Sequence, residues 1–327
     1  MTPVPWRSLR LLAGAAVLGI VVWQTGTGPF ADGLRSLDVQ VLVLGALVAV
    51  PTTVACAWRW HLVARGLGID VDLGPAVASC YRSQFLNTVL PAGVVGDVHR
   101  GVVHGRDAGD TGLGLRSVAW ERVAGQVVQV AITLVVLLLL PSPVRSSLPV
   151  LLGALALALF VLALAVVRDG VPAGGTSLMA RVLRAARTDV RRGLLAPQVW
   201  PGVVLASTLA VVGHVTTYAV AARAVGVDAS LATLLPLAML VLVAMAIPLN
   251  VAGWGPREGV AAWAFAVAGL GAGQGVATAV AYGAIVAFAS LPGAVVLVVA
   301  GRRGSVRPAV LTEPAFPQLV EEGAVRG

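Results

Sequence analysis

Lysine is absent from this chain of 327 residues, and all 23 basic residues are arginine. Charged residues make up only 12% of the sequence, about half the share that a soluble domain carries. This scarcity of charge excludes a water-soluble globular domain of this length, since 58% of the residues are hydrophobic and they stand in long runs. The lack of lysine beside abundant alanine, glycine and valine is typical of a GC-rich genome and predicts a bacterial source.

Cysteine is also scarce, with Cys56 and Cys80 alone in the sequence. Two cysteines in or beside apolar runs form neither a disulfide framework nor a zinc-ligand set, and the four histidines show no metal-ligand spacing. The sequence contains no Walker loop, no dinucleotide-binding fingerprint and no nucleophile elbow. We therefore expect no metal, no cofactor and no catalytic residues, and predict that the protein is not an enzyme.

The apolar runs predict an all-α, polytopic bundle of transmembrane helices. A run of about 18 or more apolar residues is long enough to cross the bilayer. Eight spans are predicted, at residues 11–23, 39–58, 118–140, 148–167, 200–222, 231–249, 256–270 and 276–300. The segment at 256–270 is short enough to be re-entrant instead. Residues 76–95 predict a re-entrant helix that breaks at 91–96, where proline and glycine cluster.

The formal charge of +8 predicts the topology. Residues 168–197 hold six arginines against two aspartates, which places this loop in the cytoplasm by the positive-inside rule. It forms either a short amphipathic helix on the inner leaflet or a solvated basic linker. We expect a multi-pass protein of the cytoplasmic (inner) membrane with both termini inside and no nucleic-acid partner. Residues 1–304 form the membrane domain, and 305–327 form a disordered cytoplasmic tail.

The pattern Pro-x4-Gly-x3-Arg occurs twice, in residues 91–100 and 248–257. One asparagine accompanies each copy, Asn87 before the first proline and Asn250 after the second. Broken apolar segments in both halves of a chain predict an internal repeat and point to the binding site of a transporter. A broken helix exposes N–H groups that favour an anion, and an adjacent arginine can hold a phosphate through two hydrogen bonds.

Glu121 and Arg122 interrupt another apolar run. An ionisable residue inside a membrane usually faces the bundle interior and has a partner, so we expect Glu121 to pair with Arg82, Arg100 or Arg257. The alternative is that both side chains extend outward to the headgroup level.

These motifs resemble a known family. Residues 87–100 resemble the N-x-x-x-P-x-G-x-G-G-D-x-x-R stretch of the lysylphosphatidylglycerol synthase transmembrane region, also called the flippase-like family. Val95 stands where that family usually has its first paired glycine. Residues 121–125 are similar to its acidic-Arg-x-x-Gly motif, and residues 248–259 match its second signature. The three motifs occur in order, and the resemblance extends from about residue 8 to 300.

The resemblance implies a lipid translocase or transporter that binds an anionic or phosphate-bearing headgroup, such as a polyprenyl-phosphate-linked lipid. In the bifunctional relatives this region is fused to a soluble aminoacyl-transferase domain, for which this sequence shows no counterpart. The alternatives are an accessory subunit for a separate lipid-linked glycosyltransferase, or a transferase acting on a lipid carrier. The expected headgroup residues are Asn87, Pro91, Gly93, Gly96, Arg100, Glu121, Arg122, Asn250, Gly253, Gly255, Arg257 and Glu258.

Overall fold

The computed structural model describes residues 6–90, 93–140, 142, 178–246 and 255–304. Within these ranges every regular element is a helix, as the sequence predicts. The predicted span at 148–167 and the predicted disordered tail at 305–327 lie outside them.

The helices vary widely in length, from 8 to 29 residues. In chain order they are α1 (Trp6–Thr25), α2 (Gly28–Arg35), α3 (Val39–Gly66), α4 (Leu73–Val89), α5 (Val95–Asp107), α6 (Thr111–Leu139), α7 (Leu178–Asp189), α8 (Trp200–Ala224), α9 (Leu231–Ala244), α10 (Pro256–Val267), α11 (Ala272–Ala289) and α12 (Pro292–Gly304). A π-helical turn, Val190–Leu194, continues α7. The described part of the basic segment therefore forms a helix rather than a linker.

Four stretches of the described chain are long and apolar enough to cross a membrane. They are Val39–Gly66, Thr111–Leu139, Trp200–Ala224 and Ala272–Val299. Apolar side chains stay exposed on their outer faces, among them Leu47, Val135 and Leu209. A lipid environment explains these faces, because soluble monomers rarely expose large apolar patches. The protein is thus a multi-pass membrane protein, while the count of eight spans stays a prediction.

Three helix ends differ from the predicted ones. Helix α3 continues through Arg59 to Gly66, because a buried carboxylate pairs with this arginine. Helix α9 ends at Ala244, four residues before Pro248 in the sequence. A helix rarely continues to a proline, because the proline ring would clash with the carbonyl four residues before it. The last predicted span is interrupted after Ala289, and α12 begins at Pro292.

The first break separates α4 from α5. Leu90 is extended, as expected for a residue before proline, and Gly93 has a positive φ of 59°. Helix α5 then folds back along α6 as a helical hairpin. Gly101, Gly105 and Gly114 allow this close packing, since a Cβ atom on any of them would press on the facing backbone.

The second break separates α9 from α10. Gly255 has a φ of 133°, and Pro256 begins α10, where its missing N–H costs nothing. Helix α10 has 12 residues and a length of about 18 Å, less than the hydrocarbon core of about 30 Å. It forms a hairpin with α11, where Gly275 packs on the backbone of Ala261.

The two hairpins turn at opposite ends of α3. Near the C-terminal end of α3, Trp60 donates a hydrogen bond to Ser117 at the start of α6, at 3.3 Å. The other hairpin begins α11 beside α2, the helix that precedes α3, with Gly33 packed on Ala277. Each broken helix therefore enters the bundle from a different end.

Candidate functional site

Both breaks reach one cavity of about 710 Å³ inside the bundle. The first break contributes Val89 and Gly93 to its wall, and the second contributes Met245 and Pro256. Helices α3, α6, α8 and α11 complete the wall. The two breaks therefore lie at the same cavity, and their role as a binding site stays a prediction.

Glu121 lies at the centre of the first charged cluster. Its Oε1 accepts hydrogen bonds from Arg59 Nε at 2.8 Å and Arg59 Nη2 at 2.5 Å. Its Oε2 accepts one from Arg100 Nη2 at 2.9 Å. All three side chains are at most 8% exposed. One buried carboxylate therefore joins α3, α5 and α6, and of the three predicted partners only Arg100 is a partner in the described structure.

Arg100 has further unusual neighbours. It donates to Cys80 Sγ at 3.0 Å, and its guanidinium lies 4.6 Å from the ring centroid of Trp60. This position over an aromatic face is a cation–π contact. Its Nε is buried and has no hydrogen-bond partner among the described residues.

Arg122 differs from these arginines because its side chain is 48% exposed and lines the cavity. Its Nη2 donates to Asp97 Oδ1 at 2.8 Å. Asp97 also accepts hydrogen bonds from Ser83 Oγ at 2.8 Å and Asn87 Nδ2 at 3.1 Å. Asn87 in turn accepts from the Gly96 N–H at 2.8 Å. Asn87 thus caps the broken backbone.

The second cluster is more compact. Glu258 is fully buried and accepts from the Gly255 N–H at 2.7 Å and from Arg257 Nε at 2.7 Å. The Arg257 guanidinium lies 5.9 Å from the ring centroid of Tyr282 and directly against Gly283. A cation is unfavourable at a helix N-terminus, and Glu258 in the same turn offsets it.

Two glycines make room for guanidinium groups. A Cβ atom on Gly125 of α6 would collide with Arg59, and one on Gly283 of α11 would collide with Arg257. A glycine packed against an arginine guanidinium therefore occurs in each half of the described chain.

His214 of α8 also lines the cavity. Its Nδ1 lies 3.0 Å from the hydroxyl of Tyr282, so it is linked to the second cluster through α11.

The charges at the cavity do not cancel. Arg59, Arg100, Arg122 and Arg257 line it and contribute four positive charges. Glu121 lines it as well, and Asp97 and Glu258 are bonded to these arginines, so three negative charges oppose the four. Among the described residues the ionised cluster has one positive charge in excess, which favours an anion.

The described structure brings together most of the predicted residues. Asn87, Gly93, Arg100, Glu121, Arg122, Gly255, Arg257 and Glu258 lie at the cavity or in its charged clusters. Gly96 instead packs α5 on the backbone of Ser83. Pro91, Asn250 and Gly253 lie outside the described residues.

Sequence reasoning missed Arg59, Asp97 and His214 as members of the site. Arg59 follows the predicted end of its span at residue 58, and Asp97, which stands in the first turn of α5, was not among the predicted site residues. A detectable signal was the position of Arg59 between Trp58 and Trp60, with further apolar residues after it.

An apolar helical bundle with four stretches long enough to cross a membrane defines a multi-pass membrane protein. Residues 8–293 match the sequence model of the lysylphosphatidylglycerol synthase TM region. The chain belongs to this family, which confirms the resemblance seen in its motifs. Comparison with curated proteins and with solved structures gave no match.

Proposed function

We propose that this protein is a lipid translocase that binds an anionic or phosphate-bearing headgroup in the cavity between the two breaks. The observation that carries the proposal is the convergence of four arginines on one cavity with one uncompensated positive charge. A headgroup phosphate would neutralise that excess and accept hydrogen bonds from the guanidinium groups.

The cavity suits a headgroup in size and lining. Its volume lies within the range of about 300–1,000 Å³ that is usual for small-molecule sites. Small apolar residues also line the cavity, including Ala49, Ala284 and Ala287. An acyl or prenyl chain would pack on such a surface while the phosphate reaches the charged end.

The two hairpins offer a physical basis for movement across the bilayer. We take the order of broken helix, short helix and long helix, found in α4–α6 and again in α9–α11, as an internal repeat. Because the hairpins enter from opposite ends of the bundle, each is placed to control access from one membrane face. Inverted repeats of broken helices around a central site are a common basis of alternating access.

The same arrangement supports the proposed orientation, with both termini in the cytoplasm of the inner membrane. The arginine-rich helix α7 is attached to the start of α6, where Asp189 accepts a hydrogen bond from Trp120 at 3.0 Å. The C-terminal end of α3 lies beside it, at the contact of Gly66 with Gly193. Arginine therefore accumulates at one end of the bundle, as the positive-inside rule requires of the cytoplasmic side.

The test is lipid flipping by the purified full chain in vesicles of phosphatidylcholine and phosphatidylglycerol, with a fluorescent phosphatidylglycerol as the reporter. We expect R257A to slow flipping at least about tenfold, because a lost charged hydrogen bond is worth about 1.5–3 kcal/mol. The matched control is R82A, which removes an arginine of α4 that does not line the cavity.

Normal flipping by a well-folded R257A would contradict the proposal. Native mass spectrometry adds an independent readout with the R100A/R257A double variant. Wild type should retain one anionic lipid class that the double variant loses. Retention of the same mixed lipids by both would contradict a headgroup site here.

A further inference from the structure

We infer that His214 is a proton-binding site coupled to the anion site, so that the headgroup and a proton are bound together. This inference rests on the proposed function and adds the identity of a coupling ion.

His214 lies between the two charged clusters. Its Nδ1 is linked to the Tyr282 hydroxyl at 3.0 Å, and the ring of Tyr282 faces the guanidinium of Arg257. The other ring nitrogen of His214 has no hydrogen-bond partner among the described residues, and the side chain lines the cavity. A bound headgroup oxygen can therefore accept a hydrogen bond from this nitrogen.

The surroundings of His214 are rich in positive charge. Titratable or charged groups reach it or the adjoining cavity from α3, α4, α5, α6, α10, α11 and its own helix, whereas the described helix α9 contributes none. They are Cys56 and Arg59, Cys80, Arg100, Glu121 and Arg122, Arg257, Tyr282, and Tyr218. Among these groups and His214 itself, the imidazole has the ordinary pKa closest to neutral pH.

Arg59 and Arg122 line the same cavity as His214. Like charges repel, so these arginines oppose a positive charge on the imidazole while the cavity is empty. An anion bound between them offsets their charge and removes that opposition. Protonation of His214 is then less costly, and the protonated ring attracts the anion in return.

Thermodynamic linkage makes this effect reciprocal. If the anion increases the affinity of His214 for a proton, the proton increases the affinity for the anion by the same factor. The affinity for the headgroup should therefore rise as the pH falls.

The experiment measures binding of dihexanoyl phosphatidylglycerol to the purified full chain by titration calorimetry at pH 6 and pH 8. A phosphodiester keeps one negative charge across this range, so the ligand does not titrate. Buffers of different ionisation enthalpy report the protons taken up. For wild type we expect about tenfold tighter binding at pH 6 and net proton uptake, a coupling within the usual range. H214Q should show less than a twofold change and no uptake.

The matched control is H61Q, because His61 contacts the Val71 carbonyl and does not line the cavity. It should keep the pH dependence and the proton uptake of wild type. Loss of both effects in H61Q, or their persistence in a folded H214Q, would overturn the assignment to His214.

If H214Q does not fold, the measurement on wild type alone can still overturn the inference. Binding that is equal at the two pH values and takes up no proton would overturn the inference and leave the proposed function standing. The absence of binding by wild type at both pH values would overturn the proposed function for a phosphodiester headgroup, and the inference with it.

Discussion

At each break a buried arginine pairs with a buried glutamate, but the sequence separation between the paired residues differs. Glu121 is 62 residues from Arg59 and 21 residues from Arg100. Arg257 and Glu258 are neighbours in one helical turn. The first cluster therefore joins three helices, whereas the pairing of Arg257 with Glu258 lies within α10.

This difference has a mechanical consequence. A shift of α3 or α5 relative to α6 would separate Arg59 or Arg100 from Glu121, and unpaired charges in a bundle interior are costly. A shift of α10 carries Arg257 and Glu258 together. The first break is thus held in place by its ion pairs, and the second can move without breaking the pair inside it.

Removal of the glutamates should give the largest effects. E121A leaves two buried guanidinium groups without their carboxylate, and we expect a loss of about 3–5 kcal/mol in the free energy of unfolding. E258A removes one charged pair and one helix cap, and we expect about 2–3 kcal/mol. Unfolding of both variants in detergent measures the difference. Equal losses would contradict the distinction between a shared and a local cluster.

The two glycines that face guanidinium groups should give intermediate effects. G125A forces Arg59 away from its position, and overpacking of this kind costs about 1–3 kcal/mol. G283A displaces Arg257, and we expect weaker retention of anionic lipid with a smaller loss of stability. Unfolding and lipid retention should be measured on both variants. The comparison fails if G283A is the more destabilised of the two.

The cap at the first break should have a smaller effect. Loss of the Asn87 side chain in N87A frees the Gly96 N–H and removes one donor from Asp97. We expect a cost of about 1 kcal/mol, as for other helix caps. T88A is the matched control, since the Thr88 hydroxyl bonds only the carbonyl of its own helix at Gln84. A control as destabilised as N87A would show that the cap is not the cause.

Several features could be predicted from the sequence because they depend on local chemistry. Long apolar runs predicted the four candidate spans, and Pro-Gly clusters predicted both breaks. The chain contains two asparagines, and both stand at the breaks. Asn87 holds the broken backbone at the first break, through the N–H of Gly96.

The partners of the charged residues could not be predicted, because they depend on packing between distant helices. A hydropathy pattern ends a span at its first charge, yet α3 continues because Glu121 offsets Arg59. His214 stands within an apolar run, but its partner Tyr282 lies 68 residues away and could not be identified from the local pattern. The charge balance of the cavity emerges only when both halves of the chain come together.

Arg122 differs from the other arginines of the first cluster, because we expect its charge to contribute to ligand binding more than to stability. Its side chain is half exposed to the cavity, and Asp97 keeps Ser83, Asn87 and Arg100 as partners when Arg122 is removed. We therefore expect R122A to lose no more than about 1 kcal/mol of stability, as for an exposed ion pair. Its affinity for dihexanoyl phosphatidylglycerol should nevertheless fall about tenfold, because a charged hydrogen bond to the ligand is lost. Calorimetry and unfolding on the same preparation test both parts, with R82A as the control. A large loss of stability with unchanged affinity would place Arg122 with Arg59 and Arg100 as a structural charge.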